Sequence, residues 1–180
     1  DELLIRQLTE KIRHRGPDDT GYFIKDNIAF GFNRLSIIDL EGGNQPFEKE
    51  KRTIIFNGEI YNHNELREGL IGNNEFATNS DTEVLLTSYI NYGEKCVDKL
   101  RGMFAFIIYD EVKNIVFGAR DHFGIKPLYY VNNDDFIAFS SEYKSLVTLL
   151  GKINVDQSAL QNYLSFQYTP NYNTIINEIK

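Results

Sequence analysis

Residues 103–120 have the sequence MFAFIIYDEVKNIVFGAR, and this segment decides the fold class. Its predominantly apolar runs at 103–110 and 115–120, each ending in a charged residue, flank a polar turn, a pattern that predicts a β-hairpin. Side chains alternate between the two faces of a strand, and in the first run both faces are apolar. A strand that is apolar on both faces belongs to a sheet that is covered on both sides.

Two further hairpins are predicted on either side of this segment. Asp26-Asn27 separates extended runs at 21–25 and 28–32, and another pair of runs lies at 128–131 and 136–140. Because tight turns join the paired strands, the pairing is antiparallel, which argues against a doubly wound parallel sheet. We therefore expect an α+β fold. Helices are predicted over 2–14, from the cap residue Asn62, from the cap residue Ser80 and over 141–150.

The composition excludes several classes of function. The 19 Lys and Arg residues are scattered among 26 Asp and Glu residues, so the formal charge of −7 argues against nucleic acid or a membrane as a partner. The single cysteine, Cys96, cannot form an internal disulfide, and no Cys/His cluster has the spacing of metal ligands. We expect a cytoplasmic protein without a metal site, in which Cys96 is a buried structural thiol.

The segment over 152–180 differs from the rest of the chain. Residues 151–154 are typical of a linker, Asp156 is a helix-capping residue, and the chain beyond Pro170 is polar and rich in Asn. We expect one domain over 1–151, followed over 152–180 by a linker and the start of a second domain.

The tripeptide Asn57-Gly58-Glu59 is the first candidate for a functional site. Asn-Gly between apolar runs is a common hairpin turn, yet the polar residues 62–64 follow too soon for a useful return strand. The N–H donors of Asn57 and Gly58, together with the close approach that glycine permits, are also what an acyl-transfer site needs to hold an oxyanion. Both interpretations are open at this point.

Arg34 and Asp81 are further candidates. Arg34 stands among apolar residues, where a cation needs an anionic partner. That partner is either a structural acid such as Asp39 or the carboxylate of a ligand, which arginine binds bidentately. Asp81, in the first turn of a predicted helix, is either a favourable partner of the helix dipole or, with Glu59, a site for an ammonium group. Together these residues are complementary to an amino acid.

Several motifs taken together resemble those of a known family. The combination is similar to the class II glutamine amidotransferase domain of glutamine-hydrolysing asparagine synthetases, and the resemblance runs from about residue 3 to the end of the chain. It implies an N-terminal nucleophile hydrolase fold, which is a four-layer αββα sandwich of two antiparallel sheets. The motifs are HRGPDD at 14–19, RLSIID at 34–39, NGEIYN at 57–62, SDTE at 80–83, GMFAF at 102–106 and RDHFGIKPLYY at 120–130.

The resemblance implies that glutamine is bound at the candidate site. Arg34 is expected to bind the α-carboxylate, while Glu59 and Asp81 hold the α-amino group. Asn57 and Gly58 are expected to form the oxyanion hole. Backbone groups that line the remainder of the site are expected from Leu35, Ser36, Ile37 and Ile38.

The resemblance also implies a second activity in cis. Ammonia released from glutamine is expected to reach a synthetase domain, where ATP and Mg²⁺ serve the conversion of aspartate to asparagine. The glutaminase domain itself takes no cofactor and no metal, and the family often forms homodimers.

The nucleophile of the family is a cysteine at the mature N-terminus, whose own α-amine serves as the base. This sequence begins at Asp1 and contains neither that cysteine nor the strand that carries it, and the α-amine of Cys96 is part of a peptide bond. We expect the 180-residue polypeptide to have no glutaminase activity. Two other hypotheses stay open: an amidotransferase of this type that acts on another acceptor, and a non-catalytic glutamine-binding module.

Overall fold

The computed structural model describes residues 2–35, 43–72, 74–171 and 173–180. Short 3₁₀ segments at Arg13–Arg15 and Gly93–Lys99 supplement the regular elements. The helices are α1 (Glu2–Glu10), α2 (His63–Leu70), α3 (Asp81–Tyr92), α4 (Tyr143–Val147) and α5 (Gln157–Phe166). The strands are β1 (Asp19–Lys25), β2 (Ile28–Arg34), β3 (Phe47–Lys49), β4 (Arg52–Ile60), β5 (Gly102–Asp110), β6 (Ile115–Arg120), β7 (Tyr129–Asn132) and β8 (Ile137–Ser140).

The chain forms two compact units, Asp1–Lys126 and Pro127–Lys180. In the first unit, β1 pairs with β2, and a four-stranded sheet has the order β3-β4-β5-β6. In the second unit, β7 pairs with β8. Every pairing is antiparallel, as predicted. The expected domain boundary near residue 151 does not coincide with this division and stays a prediction.

The four-stranded sheet is covered on both faces, as the two-sided apolar pattern of β5 predicts. On one face, alternate residues of β4 and β5 pack against α3 in a buried cluster that includes Ile54, Phe106 and Leu85. On the other face, Tyr109 of β5 lies against Phe23 of β1, with 6.4 Å between ring centroids. Helix α1 in turn covers β2. The first unit therefore has the layers α1, β1-β2, the four-stranded sheet, and α2 with α3.

Helix α1 lies so close to β2 that the contact requires a glycine. A Cβ atom added at Gly31 would overlap the side chain of Thr9, and the side-chain amide of Asn33 donates to the Thr9 carbonyl at 2.7 Å. Helix α1 ends earlier than the predicted residue 14, and a separate 3₁₀ turn follows it.

The two predicted helix caps differ in outcome. The Ser80 hydroxyl accepts a hydrogen bond from the Thr82 N–H at 3.1 Å, as predicted for the start of α3. Asn62 occupies the N-cap position of α2, as predicted, but its side chain makes no capping hydrogen bond. That side chain instead accepts from the Arg101 N–H and donates to the Lys99 carbonyl, both at 2.9 Å. Asn62 therefore joins α2 to the segment that leads into β5.

The second unit has a small core of its own. Val131 of β7, Leu146 of α4 and Ile179 are buried together. The predicted cap of α5 is confirmed, because the Asp156 carboxylate accepts from the Ala159 N–H at 2.9 Å. In the described residues of both units, no helix is long and apolar enough to cross a membrane.

Candidate functional site

The tripeptide 57–59 lies within β4. Asn57 is opposite Ala105 of β5, Gly58 is opposite Phe104, and the strand continues to Ile60. The hairpin-turn interpretation of Asn57-Gly58 is therefore wrong. The tripeptide is held by its pairing with β5 rather than lying in a turn.

Gly58 allows β4 and β5 to approach closely. Its φ of 152° is a backbone conformation that residues with a side chain rarely adopt. A Cβ atom at this position would lie 2.1 Å from the Met103 carbonyl oxygen and 2.8 Å from Phe104 Cα. Only glycine fits this position without displacement of β5.

The N–H of Gly58 points to the edge of β4 that faces away from β5. Backbone groups of a strand alternate between its two edges. The Phe56 N–H donates to the Gln45 side chain at 2.6 Å, and the Ile60 N–H donates to Asp81 Oδ2 at 3.0 Å. Residue 58 lies midway between these two residues, so its N–H points to the same edge. A donor in this place is available to an oxygen atom of a ligand.

Arg34 is the last residue of β2 and is buried. Its Nη1 donates to the Asn44 side-chain oxygen at 2.8 Å, and its carbonyl accepts from the Asp18 N–H at 3.1 Å. Leu35 follows and is 55% exposed. The remaining predicted lining residues, Ser36, Ile37 and Ile38, lie outside the described residues, as does Asp39.

Asp81 begins α3 and lies beside β4. Burial raises the pKa of its carboxyl group, and the nearby charge of Glu59 adds to the increase. The hydrogen bonds from the Ile60 and Thr82 N–H groups and the charge of His63 lower that pKa but do not outweigh the burial. An ammonium group placed near Asp81 and Glu59 would favour the ionised form of Asp81.

The residues Asn44 and Gln45 connect the parts of the site. Asn44 binds Arg34, while the Gln45 side chain binds both backbone groups of Phe56 and lies 3.4 Å from the Thr82 hydroxyl. No periodicity marks these two residues, and the signal in the sequence is limited to two adjacent carboxamide side chains.

Other candidates have structural roles. Cys96 is fully buried in the core cluster, and this burial raises the pKa of its thiol to about 12. The prediction of a buried structural thiol is thus confirmed. Arg120 donates to the carbonyls of Gly124 and Lys126, both at 2.6 Å, and so orders the turn after β6. Among the described residues, no group of three His, Cys, Asp or Glu side chains could hold a metal ion.

The whole chain matches the family model for a glutamine amidotransferase domain, over residues 1–180. The chain belongs to this family of amidotransferase domains. It is similar to asparagine synthetase [glutamine-hydrolyzing] 1 of Bacillus subtilis, with 52% identity over 99% of this chain and 29% of that protein. It is also similar to the probable asparagine synthetase of Schizosaccharomyces pombe, with 42% identity over 81% of this chain and 27% of that protein.

A solved structure supports the same fold. The amidotransferase domain resembles the glutamine phosphoribosylpyrophosphate amidotransferase of B. subtilis with a TM-score of 0.55 and 25% identity. The match covers 66% of this chain and 28% of that one. The α+β architecture with antiparallel sheets is therefore consistent with the N-terminal nucleophile hydrolase fold, as expected. The amidotransferase domain spans less than a third of the length of the curated relatives described above.

Proposed function

We propose that the full-length protein is a glutamine-hydrolysing asparagine synthetase and that this domain binds and hydrolyses glutamine. The proposal is based on one edge of β4. There the N–H of Gly58 lies between the N–H groups of Phe56 and Ile60, and both of these donate hydrogen bonds to side chains. An N–H held by its neighbours in a fixed direction is pre-organised to stabilise an oxyanion.

The polar groups around this edge are complementary to glutamine. Arg34, with its guanidinium held by Asn44, binds the α-carboxylate. Glu59 and Asp81 bind the α-ammonium group, which relieves the mutual repulsion of the two carboxyl groups. With both ends of the amino acid fixed, the side-chain carbonyl oxygen lies between the side-chain amide of Asn57 and the backbone N–H of Gly58, because the backbone N–H of Asn57 faces β5. Residues 35–38 supply the rest of the lining.

The reaction requires a thiolate, and Cys96 does not supply one. Attack of a thiolate on the side-chain amide gives a tetrahedral oxyanion. The proton that left the thiol passes to the amide nitrogen, the carbon–nitrogen bond breaks to give a thioester and ammonia, and water then hydrolyses the thioester to release glutamate and the thiol. Cys96 is the only cysteine of the 180 residues and is buried with a pKa of about 12. We therefore propose that the thiolate comes from outside these residues and that the 180-residue chain by itself is inactive.

The second half-reaction takes place outside this domain. The curated relatives are named asparagine synthetases, and this chain covers 29% or less of those described. We propose that ATP and Mg²⁺ bind to a synthetase domain in cis and that ammonia passes to it. We further propose a cytoplasmic location and a homodimer for the full-length protein.

The test is the stoichiometry of products formed by the full-length protein from glutamine, aspartate and ATP. The proposal predicts equal amounts of glutamate and asparagine, and no glutamate from the 180-residue chain alone. Glutamate formation without asparagine would show an amidotransferase for another acceptor. Binding of glutamine with no hydrolysis by the full-length protein would show a non-catalytic glutamine-binding module.

A further inference from the structure

Gln45 occupies a position that a strand residue would normally take. Strand β3 pairs with β4 from Lys49 opposite Arg52 to Phe47 opposite Ile54. Continued pairing would place residue 45 opposite Phe56. There, the carboxamide of the Gln45 side chain accepts from the Phe56 N–H at 2.6 Å and donates to the Phe56 carbonyl at 3.1 Å. The side-chain amide of Gln45 thus takes the place of a backbone peptide group and forms the last two hydrogen bonds between this segment and β4.

This replacement ends the pairing on that edge of β4. A backbone strand that continued past Phe56 would pair with Gly58 and occupy its N–H. A side-chain amide saturates the two groups of Phe56 and extends no further. Gln45 therefore fixes β4 immediately before Asn57 and leaves the N–H of Gly58 accessible.

The same short segment contacts two other parts of the candidate site. Asn44 accepts from Arg34 Nη1 at 2.8 Å, and the Gln45 carboxamide lies 3.4 Å from the hydroxyl of Thr82, the neighbour of Asp81 in α3. The main chain of Gln45 is packed so closely on β1 that a Cβ atom at Gly21 would overlap the Gln45 carbonyl. The segment is therefore anchored by β1 as well as by β4.

We infer that Asn44 and Gln45 are positioning residues for glutamine hydrolysis, with Gln45 aligning the oxyanion donors and Asn44 aligning the carboxylate-binding Arg34. This inference rests on the proposed function. The two residues are adjacent in sequence, so one rigid unit sets the distance between the groups that hold the two ends of the substrate. Neither residue needs to touch the reacting atoms.

The roles separate in steady-state kinetics of the full-length protein. Gln45→Ala removes both bonds to Phe56, and misplacement of a transition-state donor lowers kcat for glutamine hydrolysis by about 10²-fold. Asn44→Ala removes one partner of Arg34 and raises KM for glutamine by about 5-fold, the effect of one hydrogen bond, with a small change in kcat. Synthesis from free ammonia bypasses the glutamine site and stays unchanged in both variants.

The control is Gln7→Ala, the same chemical change on the exposed surface of α1, which should leave all rates unchanged. Gln45→Glu is a second variant of nearly the same shape. Its carboxylate can still accept from the Phe56 N–H but cannot donate to the Phe56 carbonyl. Protonation restores a donor, so the deficit of Gln45→Glu relative to wild type should decrease as the pH is lowered.

Three outcomes overturn the inference. It is wrong if Gln45→Ala keeps kcat for glutamine within about 2-fold of wild type, because the loss of even one hydrogen bond should change the rate by more than that. It is also wrong if glutamine-dependent and ammonia-dependent rates fall together, because that pattern reports general unfolding. Should Gln45→Ala not fold, a Gln45→Glu deficit that is independent of pH overturns it. Absence of glutamine hydrolysis by the wild-type protein would instead refute the proposed function itself.

Discussion

The contact of Gly58 with β5 makes Gly58→Ala the most informative substitution in the candidate site. The new Cβ atom would lie 2.1 Å from the Met103 carbonyl oxygen, whereas a carbon and a carbonyl oxygen normally stay about 3.3 Å apart. Strands β4 and β5 must therefore move apart by about 1.2 Å, which follows from the difference between these two distances. Such a displacement breaks hydrogen bonds of the neighbouring Asn57–Ala105 pair.

The cost has two parts. Two lost backbone hydrogen bonds contribute about 1 kcal/mol each, and a non-glycine residue at this φ contributes about 1–3 kcal/mol. The free energy of unfolding should therefore decrease by about 3–5 kcal/mol. In the full-length protein, displacement of the oxyanion donor should also lower kcat for glutamine by about 10²–10³-fold.

The assay for stability is urea unfolding of the 180-residue chain followed by circular dichroism and by the fluorescence of its 11 tyrosines. Gly69→Ala is the matched control, since a Cβ atom at this helical position has no atom within 4 Å. Alanine is favoured over glycine in a helix, so this variant should gain up to about 1 kcal/mol. A loss of less than about 1 kcal/mol in Gly58→Ala, smaller than either part of the calculated cost, would refute the close approach of the two strands.

Two further predictions concern groups outside the candidate site. Burial raises the pKa of Asp121, but backbone N–H groups of Ile125, Lys126, Phe104 and Phe123 outweigh it and lower that pKa below the ordinary value of 3.8. The carboxylate therefore stabilises the fold above pH 3.8, and this stabilisation is lost as the pH falls through the lowered pKa. Asp121→Asn should lower the free energy of unfolding by about 2 kcal/mol at neutral pH, as measured by urea unfolding, and by less in acid. A decrease that is the same at both pH values would contradict this assignment. The Cys96 thiol, with its pKa raised to about 12 by burial, should resist iodoacetamide at pH 8 in the folded chain and react once guanidinium unfolds it, as followed by mass spectrometry. Rapid alkylation of the folded chain would show that Cys96 is accessible.

The sequence allows a sheet that is covered on both faces to be predicted because its strongest signal is local. Residues 104–109 are apolar on both faces, and all of them are buried in the structure. The hairpin at Asp26-Asn27 is likewise predicted because its turn residues are adjacent in sequence. The side-chain partners of Asn62 are not predictable in this way, since they are backbone groups of Lys99 and Arg101, far along the chain.

In the candidate site, too, residues with a local signal are predictable and residues that depend on distant partners are not. Asn57, Gly58 and Arg34 stand out because polar or small residues interrupt apolar runs. The local pattern is also compatible with a turn at Asn57-Gly58, whereas the structure contains a continuous strand because residues 103–105 pair with it. Gln45 cannot be recognised from the sequence, because its role depends on a side chain that occupies the place of a backbone group in a distant strand.

The effect of Arg34→Ala on glutamine use tests the central claim most directly. In the full-length protein, loss of the guanidinium held by Asn44 removes the partner of the substrate carboxylate, a charged interaction of about 2–3 kcal/mol. KM for glutamine should rise by at least about 30-fold, while the ammonia-dependent rate of synthesis stays at the wild-type value. An unchanged KM for glutamine in Arg34→Ala would contradict the assignment of this site.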